Sequence, residues 1–296
     1  MNRFKRKLVY SLVGLLAGAL AWSLGALVRL GLPHFPSFLL FSLAAGALIG
    51  GAMGAYFGSL EGITLSIRAK LTKGLIAGAL LGAVGGFVGL LVSQAFLFFL
   101  GDWFLQASPA MRHAGLPLSR ALSWLVLGAF VGCIEGLRTL SWAKLKVGFL
   151  GGALGGALGG LALEGLPLLQ PDLPFVGLIG LSLLGLLIGL SYGLIEQQFT
   201  RAVLRVLNGP FKGKEYLLLA KKNPIGKNPK ARICLEGYLK MGDREALVEL
   251  KDGKAELISV TGRSDLKVND RAVRQQELQP NDILQVGSAK FIYYYR

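Results

Sequence analysis

The chain is poor in the residues that most site chemistry needs. Of its 296 residues, two are cysteine and two are histidine. That excludes a disulfide framework and a multi-cysteine zinc site. Charged residues make up only 17%, against about 25% in an ordinary soluble domain. So apolar a chain is not disordered, and a wholly soluble protein does not fit it. No Walker glycine loop, H-E-x-x-H or G-x-S-x-G occurs, and carboxylates are few and scattered. Neither an enzyme nor a resident cofactor or metal is expected. His34 and His113 lie far apart in sequence and make a poor metal pair. Glycine runs the other way, with 42 of 296 residues, about twice the usual share of roughly 7%.

The formal charge of +15 is a nucleic-acid signal only if no other cause explains it. Its distribution supplies one. Residues 1–200 are apolar runs separated by short polar loops, and residues 201–296 carry 19 of the 32 Lys and Arg with no long apolar run. The reading is therefore a membrane domain over 1–200 and a soluble domain over 201–296, the latter of ordinary domain size. Six segments are candidate spans: 8–28, 38–58, 75–100, 121–137, 148–163 and 174–195. A spanning helix takes about 20 mostly apolar residues, so the short, glycine-rich fifth segment is the weakest. The first segment is long and followed by five like it, which fits a span rather than a cleaved leader. Arg3, Lys5, Arg6, Lys7, Arg68, Lys70, Lys73, Arg138, Lys144 and Lys146 fall on one side of these spans. Arg29, Arg112 and Arg120 fall on the other, with Asp102, Glu164 and Asp172. Ten against three is a positive-inside bias that places both termini in the cytoplasm of a cell-membrane protein. The basic excess then needs no nucleic acid, for which no recognised motif is present.

The spans repeat. Odd-numbered ones open alike at Gly14-LLA-Gly18-AL, Gly74-LIA-Gly78-AL and Gly148-FLG-Gly152-AL. Even-numbered ones close alike at Gly54-AYF-Gly58-SL-Glu61, Gly128-AFV-Gly132-CI-Glu135 and Gly189-LSY-Gly193-LI-Glu196, and AKL recurs at Ala69 and Ala143. This reads as three copies of one glycine-rich helical hairpin. Glycine recurs every fourth residue, as at 46, 50, 54, 58 and 148, 152, 156, 160, a straight stripe on a helix. Such stripes suit close helix packing in lipid, or a pore or sliding surface lined by small residues. Glu61, Glu135 and Glu196 each end an even span at the interface. They are either interfacial acids bonded to neighbouring basic groups or a carboxylate ring that handles cations. Cys133, inside the fourth span, reads as a packing residue.

From about Leu204 short strand-like runs take over: Tyr216-LLLA, Arg232-ICL, Ala246-LVEL, Ala255-ELISV, Ile283-LQV and Phe291-IYYY. Turn chemistry separates them at Asn208-Gly209-Pro210, Asn223-Pro224, Asp252-Gly253 and Pro280-Asn281-Asp282, with Asp-Gly the strongest hairpin signal. The pattern predicts an all-β sandwich, with Cys234 a buried thiol. The chain as a whole is then α+β in two domains.

The order of motifs in this region resembles the forkhead-associated (FHA) domain, a β-sandwich that reads phosphothreonine peptides. The matching stretches are Gly209-PFKGKEYLLL, Ile225-Gly226-Lys227, Asp243-Arg244-Glu245-Ala246-Leu247-Val248, Leu266-Lys267-Val268-Asn269, Leu278-QP-Asn281-Asp282-Ile283-LQ-Val286-Gly287 and Phe291-Ile292-Tyr293. The resemblance implies a protein-interaction module. It also marks departures. The family's phosphate-binding Arg and Ser fall on Lys227 and Gly242, its His falls on Glu245, and its S-x-N-G-T loop falls on Gly262–Leu266. Lysine lacks the bidentate fork of arginine, glycine has no hydroxyl, and Asp243 and Glu245 would repel a dianionic phosphate. The remaining candidates for a peptide or anion site are Lys227, Arg244, Arg263, Ser264 and Asn269. The basic ones also fit plain solvated loop charges, and Asn269 fits a turn. Two functions follow. The first is a membrane-anchored scaffold that presents an FHA-like domain to cytoplasmic or membrane signalling proteins with phosphothreonine reading weak or lost. The second is a small channel or transporter regulated by that domain. The bilayer is a partner in both, and an oligomer is compatible with either.

Overall fold

The computed structural model describes residues 3–65, 67–106, 109–200, 202–228, 231–239, 241–251, 254–260 and 266–295. It divides into two compact units, Arg3–Gln197 and a unit that begins at Gln198 and holds all the strands.

The first unit is six helices: α1 Arg3–Leu30, α2 Phe38–Leu65, α3 Arg68–Gln106, α4 Pro109–Arg138, α5 Trp142–Leu169 and α6 Val176–Phe199. All six contain stretches long and apolar enough to cross a membrane. The fifth is not short. It runs for 28 residues, beyond both ends of the expected 148–163 segment, because Ser141 caps its start with its hydroxyl on the Lys144 N–H and glycine contacts hold its length. The outward faces are leucine-rich. On α1, Leu8, Leu12, Leu16 and Leu20 form an exposed stripe, and Leu150, Leu154, Leu158 and Leu161 do the same on α5. Leucine stripes of this kind are a continuous apolar exterior, larger than an ordinary soluble domain carries.

Backbone meets backbone inside the unit. A Cβ added at Gly54 would strike the carbonyl oxygen of Gly78, and one added at Gly78 would strike that of Gly54. The same reciprocal fit joins Gly46 to Gly86, Gly50 to Gly82 and Gly58 to Gly74, so α2 and α3 are in near-backbone contact along four turns. Gly128 with Gly152 and Gly132 with Gly148 repeat this between α4 and α5, and Gly14 with Gly185 repeats it between α6 and α1. The sequence repeat pairs each odd helix with the following even one. The tightest packing instead pairs each even helix with the odd one after it, and the last pair is completed by the first helix. A stripe of small residues settles against whichever neighbour carries a complementary stripe, since dispersion over the shared surface is the attraction that lipid tails do not match. The even helices and α1 fill the centre. Met53 and Phe57 of α2, Leu127 and Val131 of α4, and Ile188 and Tyr192 of α6 stand at equivalent repeat positions and belong to one buried cluster with Tyr10, Ala17 and Ala21 of α1.

The second unit is a two-layer sandwich of eleven strands: β1 Ala202–Val206, β2 Glu215–Leu218, β3 Lys222–Gly226, β4 Ile233–Cys234, β5 Ala246–Lys251, β6 Lys254–Ser259, β7 Leu266–Val268, β8 Arg271–Ala272, β9 Gln275–Glu277, β10 Ile283–Val286 and β11 Ala289–Tyr295. One sheet has the order β2-β1-β11-β10-β7-β8 and the other β4-β3-β5-β6-β9. Leu204, Ile225, Val248, Leu257, Leu284 and Phe291 are fully buried between them, as is Cys234. The Tyr216 hydroxyl of one sheet donates to the Cys234 carbonyl of the other at 3.0 Å. Lys251 pairs with Lys254, so β5 and β6 are joined by two residues. The Asp252-Gly253 turn itself lies outside the described residues.

One turn expectation fails. Asn223-Pro224 is not a turn but the middle of β3, paired with Val248 and Leu247. Proline is tolerated in a sheet where its missing N–H faces no partner, and β4 joins β3 only at Ile225 and Gly226. The Asn223 side-chain amide donates to the carbonyls of Ala220 and Val248 at 2.7 and 3.3 Å. Asn269-Asp270 turns the chain from β7 to β8, both residues with positive φ (50° and 64°), the conformation of a type I′ hairpin.

Replacing Gly54 by leucine drives a side chain into backbone that cannot yield. The expected loss is about 3 kcal/mol, the upper range for overpacking, read as a lower thermal-aggregation midpoint in detergent. Gly165, beside which a Cβ would meet nothing, should accept leucine without loss.

Candidate functional site

The three repeated carboxylates come to one end of the helical unit, each one turn beyond Phe57, Val131 or Tyr192 of the buried cluster on an even helix. None is without a cation. Glu61 binds Lys70 at 3.0 Å and also the Arg138 guanidinium. Glu135 binds Lys144 and accepts from the Tyr192 hydroxyl at 3.1 Å. Glu196 binds Arg6 at 3.1 Å and accepts from the Tyr10 hydroxyl at 3.5 Å. The Arg6 Nε also donates to the Tyr10 oxygen at 2.8 Å, and the rings of Tyr10 and Tyr192 meet edge to face at 5.5 Å. Side-chain exposure runs from 3% for Glu196 to 14% for Glu135. At that burial a carboxylate needs its cation in place.

The pairing follows the glycine packing. Lys70 and Lys144 lie nine residues after Glu61 and Glu135, at the start of the next odd helix. Both belong to the recurring AKL, so the spacing is legible in the sequence. For Glu196 the cation is 190 residues away, because the odd helix beside α6 is α1. Arg138 adds a link between repeats. From the end of α4 its Nη1 donates to the carbonyls of Gly58 and Lys70 at 3.4 and 3.2 Å, covering the α2–α3 glycine contact. Nothing in local sequence spacing distinguishes Arg138 or Arg6 for these roles.

In the sandwich, the end of β3 and the start of β5 meet at one apex. The Lys227 N–H donates to the Gly242 carbonyl at 2.9 Å and the Asn228 N–H to that of Asp243 at 3.4 Å. A Cβ at Gly226 would collide with the Asp243 carbonyl, so only glycine lets the two loops approach this closely. Lys227, Asp243 and Arg244 are exposed there. Glu245 is not, contrary to the expectation that it would repel a ligand: it is 5% exposed, and its Oε2 accepts the Gly242 N–H at 2.9 Å. The Val260 N–H donates to the Glu245 carbonyl, so the β6–β7 connection starts at this apex. Its residues Arg263 and Ser264 lie outside the described residues.

Asn269 is at the far end of β7. Its Nδ2 donates to Asp282 at 2.7 Å and its Oδ1 accepts from the Ile283 N–H at 2.9 Å, so its amide serves to hold the β9–β10 turn. Asp282, 8% exposed, also accepts the Gln279 N–H at 2.7 Å. A second brace orders the β1–β2 loop. The Tyr238 hydroxyl donates to the Asn208 carbonyl at 2.5 Å and accepts the Phe211 N–H at 3.3 Å, and the Lys214 ammonium stands 4.1 Å from the Phe211 ring centre. Burial pushes the Lys214 ammonium below the ordinary lysine range and the Tyr238 phenol above its own. Gly209, at φ 68°, lies against the Tyr238 ring where a Cβ would clash.

Two substitutions test these roles. Arg6→Met should destabilise the helical unit by about 3 kcal/mol, the low end for a buried pair broken on one side, while adding Glu196→Leu should restore most of it. Thermal-aggregation midpoints of the two variants in one detergent compare them. Asn269→Ala leaves Asp282 without its side-chain donor and should cost about 1–3 kcal/mol, seen as faster amide exchange over residues 266–286.

No protein-family model and no curated protein matches the chain. Among solved structures, it is similar to an FHA domain from work on phosphothreonine-dependent FHA interactions, at 22% identity over 33% of this chain and 98% of that one, TM-score 0.30. It is similar to the FHA domain of the CT664 protein of Chlamydia trachomatis at 22% identity over 33% and 99%, TM-score 0.30. It is also similar to Mycobacterium tuberculosis EmbR in complex with a low-affinity phosphopeptide, at 12% identity over 84% of this chain and 71% of that one, TM-score 0.30.

Proposed function

We propose that the protein is a membrane-anchored interaction scaffold. Six spans hold an FHA-like sandwich at the cytoplasmic face of the cell membrane, where its β3–β4 and β4–β5 loops engage partner proteins in signalling or assembly. The observation that carries this reading is the apex itself. Two loops are hydrogen-bonded side by side and expose Lys227 and Arg244 beside Asp243, the second carboxylate of this stretch, Glu245, is turned to internal use, and no hydroxyl stands at Gly242. A point-charge lysine and an arginine attract acidic partner surfaces. Without the fork at position 227 and a hydroxyl at position 242, they discriminate poorly between a phosphothreonine and a carboxylate. Tethering compensates for a weak contact, since partners on the same membrane meet at high effective concentration.

The channel reading has less support. Every carboxylate of the repeated set is engaged by a cation, and the centre of the bundle is filled by Met53, Leu127 and Ile188, whereas conduction needs polar groups or space along the path.

Two measurements check the proposal. With Cys133 and Cys234 replaced by serine, a cysteine at position 170 should react with a membrane-impermeant maleimide on intact cells, and one at 139 only after permeabilisation. The reverse pattern inverts the topology and removes the scaffold from the cytoplasm. In nanodiscs, the full chain should bind phosphothreonine peptides less than about tenfold better than their unphosphorylated forms, a difference under roughly 1.4 kcal/mol. Proteins co-purified from native membranes should be lost with Lys227→Glu and Arg244→Glu together. A preference of a hundredfold or more would make the protein a true phosphopeptide reader instead.

A further inference from the structure

The helical unit carries one feature that the repeat does not. Between α4 and α5 lies a cleft of about 460 Å³ lined by Cys133, Trp142, Leu145, Lys146, Phe149 and Leu150. Aligned on Gly74 and Gly148, the corresponding residues of the α2–α3 pair are Ser59, Arg68, Leu71, Thr72, Leu75 and Ile76. Both aromatic walls and the lysine between them are thus peculiar to α4–α5, and helix packing, which is the same in both pairs, does not require them.

The cleft is graded. Trp142 is at the first turn of α5, and Leu150 is eight positions on, roughly 12 Å along the axis. The inner end is apolar and half-exposed, with Phe149 at 52% and Leu150 at 46%. The Lys146 ammonium reaches back to lie 5.9 Å from the Trp142 ring centre, the snorkelling direction for a lysine just inside a bilayer interface. The neighbouring Lys144 is consumed by Glu135, but no carboxylate among the described residues pairs with Lys146. A cation beside an aromatic ring at the end of an apolar trough complements one chemistry: an anionic phosphate on an acyl chain.

We propose that this cleft is a binding site for an anionic phospholipid, its headgroup phosphate against Lys146 and Trp142 and the upper part of one acyl chain along Phe149 and Leu150. The apolar trough accepts any acyl chain, so it contributes affinity without selection. The cation selects the headgroup, by about fivefold for a single lysine near the surface. The site rests on the reading that these helices span a bilayer.

The test uses the full chain in phosphatidylcholine nanodiscs that contain a minority of lipid brominated on the acyl chain. The Trp142 emission, taken as the difference from Trp142→Phe, should be quenched about fivefold more efficiently by brominated phosphatidylglycerol than by brominated phosphatidylcholine. Lys146→Gln should abolish the difference, bringing quenching by brominated phosphatidylglycerol down to that by brominated phosphatidylcholine. Equal quenching by the two lipids in the unaltered chain overturns the site, as does a preference that persists in Lys146→Gln. Maleimide labelling at 139 and 170 separates this failure from failure of the spanning reading. Normal sidedness with equal quenching eliminates the lipid site alone. Labelling of both positions on intact cells removes the bilayer on which it rests.

Discussion

The helical unit depends on one constraint: at a glycine stripe nothing separates two helices but their own backbones. In the register found, each glycine Cα lies against the carbonyl of the facing glycine rather than against a side chain. At this distance the facing backbones gain dispersion contacts that larger residues would prevent. Everything at the end of the bundle inherits the register. With Gly58 fixed on Gly74, Glu61 one turn beyond is carried to Lys70 one turn before. With Gly132 fixed on Gly148, Glu135 is carried to Lys144. The ion pairs do not drive assembly, since the cost of burying both partners offsets most of their attraction. They penalise any other register, in which a carboxylate would be left buried and alone.

The sandwich uses a related device on a smaller scale. Gly226 has no side chain because the Asp243 carbonyl occupies that space, and the two loops that could form a recognition surface are thereby joined by backbone hydrogen bonds. What the apex exposes is Lys227 and Arg244 beside Asp243. Its neighbouring acid, Glu245, is spent on a backbone N–H. Charge count along the sequence and charge seen by a ligand therefore differ at this position.

Much of this was legible in the sequence. The spans followed from apolar runs, the repeat from glycine and glutamate in matching places, and the sandwich from alternating short runs. Where the reading erred, a local signal met a tertiary one. Asn223-Pro224 carries turn chemistry, but an open edge beside β3 and two side-chain hydrogen bonds hold it in a strand. The fifth span reads as short because glycine lowers its hydropathy, yet the same glycines, packed on α4 and α6, give it 28 helical residues. Asn269 carries both turn and ligand signals, and its contacts with Asp282 and Ile283 use the amide within the fold.

The amino-acid order alone determined which segments are apolar helices, that short strands follow them, and that glutamate and lysine recur at a fixed interval, since these depend on periodicity and composition over a few turns. Which helix each glycine stripe would meet was decided by the tertiary structure. Closure of α6 on α1 gives Glu196 a cation 190 residues away in sequence and sets Arg138 across two repeats. No local pattern encodes that choice, because contact energy between stripes depends on the geometry of the whole bundle and not on separation along the chain.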